Sequence, residues 1–264
     1  MTKEQILKEI ANSNWQPTFK FTDDLDAVVD SILQPHEDYF LELHGKVKEI
    51  IEREVSYFNG LKNMNPFYPE HSEYKITFAD VCNWQKELYE HKKYQMQEWV
   101  DRANCIEQDN IKPYEISDRE VLIKCINYLP NQYINLGLRL TNVIVGNFIP
   151  PHPMFLVDLK EMCFPIIIEN SSYKRNSIDI YSQLYMGNEF VWFQEDYVDT
   201  NDFENPIIDE INLESSLLNE LTNWYKLFNQ IHFFEDLNGR IGGIVINILS
   251  YILTNKYLIN EQNV

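Results

Sequence analysis

The stretch His232-Phe233-Phe234-Glu235-Asp236-Leu237-Asn238-Gly239-Arg240-Ile241-Gly242-Gly243 brings a base, a carboxylate, an amide, an arginine and three of the chain's eight glycines into twelve residues. What stands on either side of it decides the fold. Upstream, Leu217, Leu218, Leu221, Trp224, Tyr225, Phe228 and Ile231 recur at three- and four-residue intervals, the pattern of a helix with one buried face. Downstream, Ile241, Val245, Ile248, Leu249 and Ile252 repeat that spacing. The stretch therefore reads as a tight loop between two apolar helices, with His232 at the end of the first and the second starting near residues 238–240.

A helix start carries backbone N–H groups without helical partners and the positive end of the dipole, so it suits an anion, with Arg240 as counter-ion. Glycines let a backbone bend closely around such a ligand. Asp236 stands beside this cradle, where its carboxylate would hold magnesium bridging phosphate oxygens. An imidazole, a metal ligand and an anion nest together are the parts of a phosphoryl or nucleotidyl transfer site. The plainer alternative for His232 alone is a helix-capping histidine, but Asp236, Asn238, Gly239 and Arg240 in register favour function.

In those residues the loop resembles the signature of the Fic family, His-Pro-Phe-x-Asp-Gly-Asn-Gly-Arg-x-x-Arg. Six of its nine fixed positions match: His232, Phe234, Asp236, Asn238, Gly239 and Arg240. Phe233 replaces the proline, Leu237 the first glycine and Gly243 the final arginine. Farther upstream, Val143-Ile144-Val145-Gly146-Asn147-Phe148-Ile149, followed by Pro150-Pro151-His152-Pro153, is similar to the family's β-hairpin flap and the proline run behind it.

The resemblance implies a mainly α fold: a Fic-type helical bundle over residues 76–264, with a flap at about 142–151, preceded by an N-terminal helical region at 1–75. It implies a protein adenylyltransferase that moves AMP from ATP, with Mg²⁺, onto a Tyr, Thr or Ser hydroxyl of a target protein. His232 would deprotonate that hydroxyl, and Asp236 would bind magnesium. Asn238, with the backbone of Leu237, Gly239 and Arg240, would form the anion hole, and Arg240 would grip the departing phosphates. Phe234 would point into the core and shape the loop. Val143, Ile144, Val145, Gly146 and Asn147 would clamp the target segment as an added strand.

The departures bear on donor and regulation. In one branch of the family the final arginine pairs with an inhibitory glutamate from an N-terminal Ser-x-x-x-Glu-Gly helix. Here that arginine is Gly243, and the segment of similar spacing, Val55-Ser56-Tyr57-Phe58-Asn59-Gly60, has Val and Asn at the key places. Joint loss implies an enzyme without that clamp; the other reading of this segment is a plain helix end with Gly60 as its left-handed cap. Branches lacking the arginine include ones using a CDP-linked donor or transferring phosphate alone. An inactive protein-binding module on the same scaffold is the further alternative.

Composition sets the bounds. The 264 residues, 44% hydrophobic and 14% aromatic, suffice for a large core. A formal charge of −19 argues against a nucleic-acid partner, whose phosphates demand a basic surface. Cys82, Cys105, Cys125 and Cys163 show no paired spacing, so neither a zinc site nor a disulfide framework is expected. No apolar run is long enough to span a membrane and the N-terminus lacks a signal-peptide pattern. Synthesis in the cytosol is expected, and later delivery elsewhere would leave no required mark.

Along the rest of the chain, helical spacing covers residues 22–33 and 37–57, with 59–74 read as a linker. Thr77, with Asp80 three residues on, reads as the cap of a helix running through Leu88 or further. Residues 118–129 and 154–168 are further helix candidates, Pro165 ending or bending the second. Residues 181–193 are open between helix and strand. The acidic run 195–214 reads as a solvated loop or a docking surface for a basic target.

Overall fold

The computed structural model describes residues 8, 15–33, 40–64, 73–89, 136–139, 143, 145, 148–170, 180–186, 189–196 and 206–261. Its centre is α6, Asn238–Thr254. From Ile241 to Ser250 every residue of this helix is buried, as its apolar character on all sides requires. Around it pack α5 (Pro206–Ile231), α2 (Phe40–Met64), α1 (Leu25–Ile32), α3 (Phe78–Tyr89) and β6 (Tyr257–Asn260). One core includes Val47 and Ile51 of α2 with Ile244 and Ile248 of α6, so the N-terminal helical region shares the interior of the residues beyond 76.

The strands form two small antiparallel sheets. β1, Phe19–Thr22, pairs with β6, Phe19 facing Asn260. The second sheet has the order β2 (Glu73–Ile76), β3 (Ile166–Asn170), β4 (Ile180–Met186), β5 (Glu189–Asp196). The stretch left open between helix and strand is thus a pair of strands, with Tyr185 opposite Phe190 and Leu184 opposite Val191. Aromatic and β-branched residues fit that pleated surface.

Local chemistry accounts for three helix starts. Asp24 caps α1 by accepting the N–H of Ala27 at 3.0 Å, and Thr22 belongs to β1 ahead of it. At α3 the capping pair is reciprocal: the Thr77 N–H donates to the Asp80 carboxylate at 2.7 Å and the Asp80 N–H donates to the Thr77 hydroxyl at 3.3 Å. α5 begins on Pro206, whose fixed φ and missing N–H suit a first helical position. Asp209, Glu210 and Glu214 of the acidic run therefore belong to a helix, and Glu214 pairs with Lys256 at 2.8 Å.

Two expectations are corrected. The helix expected over 154–168 is a short one, α4 (Leu156–Leu159), between 3₁₀ turns at Pro153–Phe155 and Lys160–Met162. The Phe164–Pro165 peptide is cis, and three consecutive isoleucines then enter β3; a proline cannot continue the helix, and β-branched residues favour the strand. The linker expected from residue 59 is helix up to Met64, because α2 runs on to there, and residues 65–72 lie outside the described residues. Val55 and Phe58 are buried on its inner side and Leu61 packs against the same core, so packing overrides the weak helix propensity of Asn59 and Gly60. Gly60 lies within the helix and is not its left-handed cap.

Residues 118–129 lie outside the described residues. Among the described residues no helix is long and apolar enough to cross a membrane. Cys82 and Cys163 are buried free thiols, and burial pushes both upward in pKa.

Candidate functional site

α5 ends at Ile231 and the chain turns sharply at His232, whose φ of 55° is left-handed. Phe233 and Phe234 follow, both fully buried. Their rings join Phe78 and Phe228, with Phe233 5.0 Å from Phe78 and 5.5 Å from Phe228 between centroids. The residue standing where the family signature has proline thus anchors the underside of the loop in an aromatic cluster. Phe234 points into the core as expected.

Asn238 closes the loop. Its Oδ1 accepts the Phe234 N–H at 2.9 Å, and its Nδ2 donates to the Phe234 carbonyl at 2.8 Å. The side chain is buried and engaged on both sides, so its amide shapes the loop rather than reaching into open space. Leu237, just before α6, has a φ of 70°, which explains why a glycine suits this place in the signature; here a leucine bears the strain and buries its side chain.

A cavity of about 400 Å³ opens at this end of α6. His232, Asp236, Leu237, Asn238, Gly239, Arg240 and Gly243 all line it, together with Tyr225 of α5, Ser31 and Ile32 of α1, and residues of β1 and β6. The loop residues to which the sequence assigns base, metal and phosphate roles therefore come together on one cavity. The flap is described in part. Val145 and Phe148 exchange backbone hydrogen bonds of 2.9 and 3.0 Å, as at the end of a hairpin, Ile149 is 67% exposed, and Val143 is half-buried. Ile144, Gly146 and Asn147 lie outside the described residues.

The electrostatics are local. The Asp236 carboxylate, with its side chain 44% exposed, accepts the Leu237 N–H at 2.7 Å and lies 3.6 Å from Nη1 of Arg240, whose side chain is 11% exposed. Among the described residues Asp236 is the one carboxylate on the cavity. Nδ1 of His232 stands 3.3 Å from the Asn229 carbonyl, which can only accept. The proton of the neutral ring is thereby assigned to Nδ1 and the lone pair to Nε2. Burial, and next the charge of Arg139, hold this imidazole down to about 4. Burial pushes the Tyr225 phenol up to about 12. Near neutral pH the His232 ring is neutral and the Tyr225 phenol keeps its proton.

Arg139 escaped the sequence reading. It is fully buried, and its guanidinium donates to the carbonyls of His232, at 2.5 Å, of Ile231, at 3.4 Å, and of Pro151. The signal was a lone arginine in the apolar segment Leu136-Gly137-Leu138-Arg139-Leu140, since a charge among apolar residues is buried only where it is paired.

Gly239 and Gly243 line the cavity, and two of the loop glycines also serve helix packing. A Cβ on Gly242 would stand 3.0 Å from both Tyr225 and Asn229, and one on Gly243 would stand 2.9 Å from Cγ1 of Ile32. These two glycines let α5 and α1 close onto α6. Among the described residues no group of three or more His, Cys, Asp or Glu side chains converges as a metal site. A lone carboxylate beside a helix start still fits magnesium, which takes few protein ligands when phosphate oxygens complete its shell. Comparison of the chain with protein-family models, with curated proteins and with solved structures gives no match.

Proposed function

We propose that this chain is a Fic-type transferase that moves a nucleotide monophosphate, foremost AMP from ATP, onto a Tyr, Thr or Ser hydroxyl of a target protein. The observation that carries this reading is the single cavity joining a neutral histidine, a carboxylate, an arginine and the start of α6. The acceptor hydroxyl attacks the α-phosphorus as His232 takes its proton. The bond to the β-phosphate breaks and pyrophosphate leaves, its charge met by Arg240. The N–H groups at the start of α6 offset the charge that develops on the transferred phosphoryl oxygens. Bound magnesium, held by Asp236 and phosphate oxygens, would supply charge neutralisation there. The exposed edge near Val145 and Ile149 supports a role in seating an extended target segment.

One observation favours a second donor. Ile32 fills the space beside Gly243, where the family signature carries its second arginine, and among the described residues Arg240 is the one arginine on the cavity. A CDP-linked donor, which has no γ-phosphate, would need less cationic grip on outer phosphates than ATP. Incubation with magnesium and α-labelled ATP, then with a panel of other donors, tests both readings by intact mass. Label on the protein or a partner, lost in His232→Ala, supports transfer. Tight capture of a protein with no nucleotide binding would replace the reading with that of a binding module.

A further inference from the structure

We propose that Arg139 is the positioning residue of this site: its guanidinium ties the carbonyls of Ile231 and His232 to that of Pro151 and so fixes the backbone from which the His232 imidazole projects. The proposal rests on the transferase reading above for its catalytic consequence, and on the geometry alone for its structural one.

The last carbonyls of a helix lack helical donors and lie at the negative end of its dipole. At the end of α5 the problem is sharper, because His232 leaves the helix at once through a left-handed φ of 55°. A non-glycine residue holds such a conformation only where its surroundings impose it. Arg139 supplies that imposition. Its Nε donates to the His232 carbonyl at 2.5 Å and its Nη2 reaches Ile231 at 3.4 Å, while the same Nη2 donates to Pro151. A planar fork of five N–H donors can span several carbonyls at fixed angles, whereas an ammonium acts as a single point charge.

The backbone around Arg139 reinforces the grip. Its own N–H donates to the Phe233 carbonyl at 2.9 Å, and Leu138 forms an antiparallel bridge with Phe234. Gly137 turns into this strand-like stretch with a φ of 69°, and a Cβ there would meet the buried side chain of Gln85 at 3.0 Å, so a side chain at this position would be strained. Residues 231–234 are thus held from one side by a short segment whose sole charge is Arg139. Pro151 lies just beyond the flap residues Phe148 and Ile149, so the same guanidinium joins the base of the flap to the catalytic loop.

The experiment uses the full chain with Arg139→Lys and Arg139→Gln, read by thermal unfolding, by calorimetry with magnesium ATP, by labelling rate, and by the ring resonances of His232, assigned through His232→Ala. The expected result is a labelling rate lowered on the order of 100-fold in Arg139→Gln, with Arg139→Lys intermediate. Nucleotide affinity should stay within about threefold, the mark of lost geometry at the reacting centre rather than lost ground-state binding. The His232 ring signals should shift in both variants. If Arg139→Gln does not fold, Arg139→Lys carries the same expectations. Folded variants that label at the wild-type rate, or whose His232 ring signals stay in place, overturn the proposal. If the wild-type protein labels with no donor, the transferase reading fails, and the ring resonances alone decide on Arg139.

Discussion

Ile32 and Gly243 are built for each other: a Cβ at position 243 would lie 2.9 Å from Cγ1, 3.2 Å from Cδ1 and 3.5 Å from Cγ2 of Ile32. The nearest of these atoms sits close to the backbone of α1 and cannot swing away as the tip of a flexible side chain can. The absence of an arginine at 243 is therefore part of how α1 docks on α6, and Ile32 of α1 lines the cavity on that side.

Placing an arginine at position 243 should cost stability. Gly243→Arg is expected to destabilise the protein by about 2 kcal/mol, the usual scale of overpacking. The double variant Ile32→Ala/Gly243→Arg should cost less than the sum of its parts, with a coupling of about 1 kcal/mol or more. Denaturant unfolding of the four proteins in the cycle checks it, and strict additivity would show that the two sites are independent.

The left-handed Leu237 makes an inverted prediction. At an ordinary buried helix-start leucine, Ala is a better replacement than Gly. Here both variants lose the same buried side chain, but Gly alone escapes the strain of a positive φ, worth roughly 1 kcal/mol. Leu237→Gly should therefore be more stable than Leu237→Ala by about 1 kcal/mol, with both below wild type by a few kcal/mol. The reverse order would mean that the left-handed turn is absent in solution.

Asn238 separates structure from chemistry. Removing its side chain leaves the buried N–H and C=O of Phe234 without the partners they now have at 2.9 and 2.8 Å. Asn238→Ala should lower stability by about 2 to 4 kcal/mol, since each stranded group costs 1–3 kcal/mol. Asn238→Asp should show a loss too, because a carboxylate keeps the acceptor but cannot donate to the carbonyl. Equal stability of Asn238→Ala and wild type would assign the amide to ligand binding instead.

What the sequence disclosed, and what it hid, follows from the range of the forces involved. α5 and α6 were legible because their apolar spacing is local and periodic, and the Thr77 cap because its two partners are three residues apart. Meeting of His232, Asp236 and Arg240 on one cavity was legible for the same reason: the loop is short. β1 and β6 were not, since Phe19 and Asn260 pair across nearly the whole chain and each strand is four residues long. The continuation of α2 through Asn59 and Gly60 depends on where Phe58 and Leu61 land in the core, which local propensity does not encode. Gly243 was read as a missing ligand contact because its neighbour, Ile32, lies more than two hundred residues away. Arg139 was passed over because a lone arginine announces a partner without saying which, and its acceptors are backbone carbonyls that leave no trace in side-chain patterns.

The depressed histidine sets the pH behaviour. In the unfolded chain His232 titrates near 6.5, whereas in the fold burial holds it down to about 4. Above 6.5 the ring is neutral in both states and contributes nothing to pH dependence. Between 6.5 and 4 the unfolded chain takes up a proton that the fold refuses, so stability falls as pH falls, by about 3 kcal/mol once below both values. His232→Gln should lack this component, so the stability difference between variant and wild type should drift by that amount between pH 7 and pH 4. Transfer should follow the folded value: the base stays unprotonated, and the labelling rate holds level, down to pH 5, with a fall centred near 4. An acid limb at 6.5 in the rate profile, with no pH drift in the stability difference, would place the ring in water rather than in the cavity wall beside Arg139.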